Sequence, residues 1–127
     1  MSDPQAIEGL RILLIEDEVV IAMTAEDMLE EIGCHVSAQA STFGEAMTCA
    51  TDGDFDLALL DINLHGVMSI PIAYKLREAG KPFIFTTGYG NVGIDSAFSD
   101  VMVVTKPYTL RTLSNGIAAA AGQIARG

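Results

Sequence analysis

Five short runs rich in β-branched residues or leucine recur along the chain, and helical-period stretches separate them. The runs are Arg11–Ile15, Val36–Ala40, Leu57–Leu60, Phe83–Thr86 and Val101–Val104. Each is too short for a helix and reads as a buried strand. Between them, Ile21, Ala25, Met28 and Ile32 lie on one helical face, and Gly33 follows where a helix end needs positive φ. Phe43, Ala46, Met47 and Ala50 form a second stripe, opened by Thr42 with Glu45 at capping-box spacing. Ser69 and Pro71 open a third helix carrying Ala73, Leu76 and Ala79 and closed by Gly80. A weaker segment at about Val92–Phe98 reads as a short fourth helix. Leu110, Leu113, Ile117, Ala121 and Ile124 mark the last one. Strands separated by helices pair in parallel through right-handed crossovers, with helices on both faces, so the expected fold is an α/β, doubly wound (βα)5 sheet.

The chain of 127 residues has room for one domain, with an expected core over about residues 10–125. Half its residues are apolar and 19% are charged, an ordered, core-building composition. No apolar run approaches the roughly 18 residues of a membrane span. The start, Met-Ser-Asp-Pro-Gln, has neither the basic residues nor the apolar stretch of a signal peptide. Cys34 and Cys49 are read as buried structural thiols in helix or strand patterns, and His35 as a structural turn residue before the second strand. Two cysteines accord with a reducing, cytoplasmic location and not with a disulfide framework. The net charge is −10, and residues 1–31 carry nine acids against Arg11 alone. Nucleic acid and anionic membrane surfaces repel such a chain, so neither is an expected partner.

In an open parallel sheet, ligands bind beyond the C-terminal strand ends, where the strand order reverses. Glu16 and Asp17 follow the first strand, Asp61 the third, Thr86, Thr87 and Gly88 the fourth, and Lys106 with Pro107 the fifth. Carboxylates gathered at neighbouring strand ends stay ionised together only with a cation. Hard oxygen donors favour Mg²⁺, which takes one or two carboxylates and keeps waters or a phosphate oxygen. A carboxylate nucleophile, Mg²⁺, a lysine and a hydroxyl together serve phosphoryl transfer.

In these residues the chain resembles the receiver domain of two-component response regulators, over nearly its whole length. Ile12-Leu13-Leu14-Ile15-Glu16-Asp17-Glu18 is similar to the family's first strand and acidic pair. Leu59-Leu60-Asp61-Ile62-Asn63-Leu64 is similar to the phosphoacceptor strand and loop. Phe83-Ile84-Phe85-Thr86-Thr87-Gly88-Tyr89 resembles the fourth strand with its hydroxyl residue at Thr87, and Val104-Thr105-Lys106-Pro107-Tyr108 the lysine and following proline. The resemblance implies a flavodoxin-like strand order of 2-1-3-4-5 and a cis Lys106–Pro107 bond. It implies a Mg²⁺ site of Asp17, Asp61 and the Asn63 main-chain carbonyl, assisted by Glu16 through water. Asp61 would accept a phosphoryl group from a histidine kinase or phosphotransferase, with Thr87 and Lys106 binding phosphoryl oxygens. The domain would thus catalyse its own phosphorylation and dephosphorylation, and would signal to a downstream protein by contact.

Two departures stand out. Three residues before the lysine the family usually carries an inward-rotating aromatic, and here that position is Val103. The loop after the fourth strand instead resembles a mostly single-domain subgroup with Phe-Ala-Thr-Gly-Tyr, Thr86 replacing the alanine. In that reading Tyr89 is the mobile aromatic or a lid against water, set against a plain loop tyrosine. His65, where many receivers have proline, is read as a surface loop residue. Glu26, Asp27, Glu30 and Glu31 leave an acidic first helix, read as a solvated face or a partner surface. Rival readings are a small aspartyl-phosphate phosphatase, a flavin or cobalamin module of the same fold, and a receiver-like scaffold that works unphosphorylated. The phosphatases resemble an Asp-x-Asp after the first strand, whereas here Asp61-x-Asn63 follows the third.

Overall fold

The computed structural model describes residues 7–88, 94 and 96–126, the last four of these by backbone alone. The strands are β1 (Arg11–Ile15), β2 (His35–Ala40), β3 (Leu57–Asp61), β4 (Asn63–Leu64), β5 (Val67–Met68), β6 (Phe83–Thr87) and β7 (Val103–Thr105). The helices are α1 (Val19–Glu31), α2 (Phe43–Asp52), α3 (Ile70–Glu78) and α4 (Leu110–Arg126). The five long strands form one parallel sheet in the order β2-β1-β3-β6-β7, which is 2-1-3-4-5 once the short β4 and β5 are set aside.

Successive strand residues point to opposite faces, and each face has its own core. Leu13, Ile15, Ala58, Leu60, Phe83 and Phe85 pack with Ala46 and Ala50 of α2 and Ile72, Ala73 and Leu76 of α3. Ile12, Leu14, Leu57, Leu59, Ile84 and Val104 pack with Ala25 and Leu29 of α1 and Leu113, Ile117 and Ala120 of α4. β1, β3 and β6 are thus buried on both sides. β2, expected as a buried strand, instead lies at the sheet edge with His35, Ser37 and Gln39 exposed, because no further strand among the described residues pairs with its outer side.

The local signals act largely as read. Gly33 and Gly80 take φ of +99° and +71° just beyond α1 and α3. Thr42 Oγ1 accepts from the Glu45 N–H at 3.2 Å, but the returning carboxylate reaches the Ser41 N–H at 2.9 Å, not Thr42. On α1 the deepest residues are Ala25 and Leu29, with Ile21, Met28 and Ile32 half-buried beside them, so the buried stripe is rotated from the expected one.

Other expectations are corrected. The last strand begins at Val103, not Val101, because the Val101 N–H donates to the Phe98 carbonyl in a turn. Of the expected helix at 92–98, Ser96–Phe98 is a 3₁₀ turn that buries Phe98 edge-on against Phe83 and Phe85; residues 92, 93 and 95 lie outside the described residues. His35 opens β2. Cys34 lies in the turn between α1 and β2, buried, its Sγ donating to the Ile7 carbonyl at 3.4 Å, and burial pushes its pKa up to about 11. Cys49 is only half-buried, on α2. An antiparallel hairpin absent from the sequence reading pairs β4 with β5 directly after Asp61. His65 and Gly66 form its turn with φ of 52° and 83°, the positive values that two-residue hairpins require. No helix among the described residues is long and apolar enough to cross a membrane.

Candidate functional site

Strand register assembles the site. Ile15 pairs with Leu60, so Glu16 emerges beside Asp61. Asp61 pairs with Thr86 and Thr87 with Thr105, which brings Lys106 to the same edge. The Lys106 N–H donates to the Thr87 carbonyl at 2.8 Å, and the following bond to Pro107 is cis, as expected.

Glu16, Asp17 and Asp61 each offer a carboxylate oxygen, and these lie within 4.8 Å of one another. Lys106 Nζ sits between two of them, 2.8 Å from Glu16 Oε1 and 2.9 Å from Asp61 Oδ2. Asp61 Oδ1 accepts from the Asn63 N–H at 3.1 Å, and Glu16 Oε2 from the Glu18 N–H at 3.1 Å. Asp17 Oδ2 accepts from the His65 N–H at 2.8 Å, with His65 Nδ1 3.7 Å away. His65, read as a plain surface loop residue, is therefore a turn residue bonded to a candidate ligand.

Glu16 and Asp61 are 3% and 4% exposed, so ionising them costs solvation that only Lys106 and a few N–H groups return. Burial accordingly pushes Glu16 up to about 7, against the opposing pull of Lys106. Burial raises Asp61 in the same direction, again opposed by Lys106 and the Asn63 N–H. Burial also acts to raise Asp17, but the His65 N–H and the hydrogen bond with Glu16 outweigh it and hold Asp17 low. Burial alone would lower Lys106; the hydrogen bonds to Glu16 and Asp61 overcome it and keep the ammonium charged. One cation among three carboxylates leaves the cluster with excess negative charge. Its hard oxygen donors therefore match Mg²⁺, and Glu16, Asp17 and Asp61 are the carboxylates that could hold it.

Thr87 is buried at the end of β6 beside this cluster. Tyr89 lies outside the described residues. Two residues not read as site residues in the sequence lie here as well, Tyr108 and Ser69. Tyr108 is buried near Glu16, Asp61 and Lys106, and burial pushes its hydroxyl up to about 12 against the opposing influence of Thr86. Ser69, read only as a helix opener, is fully buried and donates from Oγ to the Asp61 carbonyl at 2.6 Å. For both, a hydroxyl close to a strand end was the available signal.

Residues 12–118 match the family model described as response regulator receiver domain. The aerobic respiration control protein ArcA of Escherichia coli is 32% identical over 109 residues, covering 81% of this chain and 44% of that protein. The aerobic respiration control sensor protein ArcB of the same organism is 30% identical over 115 residues, covering 80% of this chain and 15% of that one. The chain thus spans less than half the length of these curated relatives. Among solved structures, SdrG of Sphingomonas melonis Fr1 superposes with a TM-score of 0.74 at 36% identity, covering 94% of this chain and 98% of that one.

Proposed function

Because the chain belongs to the response regulator receiver domain family of two-component systems, we propose that it is a Mg²⁺-dependent phosphorylation switch with Asp61 as the phosphoacceptor. The single observation that carries this reading is Asp61 itself. It is a buried carboxylate at the end of the central strand, flanked by Glu16 and Asp17 and touched by the only described cationic side chain at this edge, Lys106.

In this reading Asp17, Asp61 and the Asn63 carbonyl hold Mg²⁺ directly and Glu16 holds it through water. When bound, the ion supplies positive charge against the incoming phosphoryl oxygens. Asp61 attacks phosphorus while the bond to the donor nitrogen of a kinase or phosphotransferase histidine breaks. Lys106, already 2.9 Å from Asp61 Oδ2, turns toward a phosphoryl oxygen as charge builds there, and the Thr87 hydroxyl donates to another. Positioning and charge neutralisation carry such a transfer. Output is contact with a downstream protein. Tyr89 is assigned the role of mobile aromatic or lid, because Val103 supplies no aromatic at the usual place.

The test is exposure of the purified chain to Mg²⁺ and a small phosphodonor or a histidine kinase. Intact-mass and phosphate-affinity electrophoresis are expected to show one alkali- and hydroxylamine-labile phosphoryl group, absent from Asp61→Ala and from samples in EDTA. A wild-type chain unmodified by kinase and small donors alike would overturn the reading. Turnover of p-nitrophenyl phosphate would favour the phosphatase alternative; none is expected.

A further inference from the structure

A serine directly before a helix ordinarily turns its oxygen back onto the first free amides. Ser69 does not. The amides of Ile72 and Ala73 bond instead to its main-chain carbonyl at 2.9 and 3.2 Å, and its side chain makes no cap bond. Its hydroxyl goes to the Asp61 carbonyl at 2.6 Å, and its N–H to the Ile62 carbonyl at 2.8 Å. One fully buried residue therefore grips two successive carbonyls at the point where β3 ends.

The segment closed by that grip is the β4–β5 hairpin, and it is internally tied as well. The Asn63 N–H donates to Asp61 Oδ1, and the Asn63 side-chain oxygen accepts from the Gly66 N–H at 2.7 Å. The Asn63 carbonyl lies in the peptide plane shared with Leu64, which the β4–β5 pairing of Asn63 with Met68 and of Leu64 with Val67 holds in place. The base of that hairpin is held by Ile62, whose N–H bonds to the Thr86 carbonyl at 3.0 Å, and by Ser69. A short hydroxyl-to-carbonyl bond without solvent exposure is a rigid constraint.

We infer that Ser69 is a positioning residue for the metal site, holding the Asp61 carboxylate and the Asn63 carbonyl in one orientation through its bond to the Asp61 main chain. The inference rests on the reading of this cluster as the Mg²⁺ site and of Asp61 as the phosphoacceptor. Outer partners of metal ligands act in this way, and their removal typically lowers metal affinity about 10- to 100-fold. The hydroxyl is not itself a ligand and touches no reacting atom.

The test uses the whole chain and compares wild type with Ser69→Ala, Ser69→Gly and Ser69→Thr. Mg²⁺ affinity is measured by titration calorimetry, and the Mg²⁺ dependence of modification by a small phosphodonor is measured beside it. Removing the hydroxyl is expected to weaken Mg²⁺ binding about tenfold or more and to raise the half-saturating Mg²⁺ equally. The modification rate at saturating Mg²⁺ stays within about threefold, and Ser69→Thr, which keeps the hydroxyl, retains the wild-type half-saturation. A purely architectural serine gives the opposite split, with a reduced rate or folded fraction at unchanged half-saturation, and that result in either hydroxyl-less variant overturns the inference. A wild type that binds no Mg²⁺ and is not modified overturns the parent reading instead, so the two failures are distinguishable.

Discussion

Lys106 carries the electrostatics of the metal-free site. Its ammonium lies within 2.9 Å of two carboxylates that are almost wholly buried. Losing one partner of such a group costs more than the intact interaction contributes, because the remaining charges stay desolvated. Lys106→Met keeps the stem and removes the charge, so Glu16 and Asp61 face each other uncompensated. In EDTA at pH 8 the variant is expected to lose about 1–3 kcal/mol of stability. The loss shrinks at pH 5.5, where protonation of Glu16 relieves the repulsion. Urea unfolding at the two pH values measures both numbers; an equal loss at each would show that the packing of the stem, not its charge, had been removed.

At the scale of elements, α4 reaches the sheet through Gly116. A Cβ there would lie 3.0 Å from Val104 Cγ2 and 3.6 Å from Met102 Cγ. The glycine lets the helix axis approach β7, the strand that delivers Lys106. Gly116→Val drives two further methyl groups into that contact, and overpacking of this kind costs about 1–3 kcal/mol. Thermal unfolding is expected to show the loss, with Mg²⁺ affinity falling as β7 is pushed from register; unchanged stability would mean that α4 can simply ride outward. The sequence revealed the elements that carry strong periodicity: five strands, their parallel pairing, and the helices opened by Thr42 and closed by Gly33 and Gly80. It also placed Glu16, Asp17, Asp61, Thr87 and Lys106 at one edge of the sheet, because strand ends are countable. Tertiary contacts with no local period stayed hidden. The β4–β5 hairpin has two-residue strands, too short to alternate visibly, and its turn is His-Gly where Asn-Gly would have signalled it. Ser69 stands where a cap belongs, so its bond to Asp61 competes with a more ordinary explanation. The late start of β7 depends on Phe98 folding under the sheet edge, a contact that hydropathy does not encode.

For the whole molecule, the raised carboxylates and the depressed ones set opposite slopes of stability against pH. Glu16, raised to about 7, and Asp61, raised in the same direction, bind protons more tightly when folded. Their contribution is present below the ordinary carboxylate range and is lost as pH rises through about 7. Asp56 is held low by its hydrogen bond to Arg11, and Asp17 is low as well; their contribution is lost as pH falls below that range. The metal-free chain is therefore expected to melt at a higher temperature near pH 5 than near pH 8. On the proposed reading Mg²⁺ reverses that order, since an ion held by the ionised carboxylates favours their charged form. Calorimetric scans with EDTA or Mg²⁺ decide it, and a metal-free melting point higher at pH 8 would contradict the site's charge balance. The sheet has a further consequence, one of timing. β3 is central, hydrogen-bonded on both sides and covered by a separate core on each face, so its amides open to solvent only when the whole domain unfolds. Asp61 is thus written onto the slowest clock in the molecule, while Asp17, His65 and the loops around them keep faster time at the rim. A modification made at Asp61 cannot be announced by moving the strand that bears it, and its news travels outward through those faster parts.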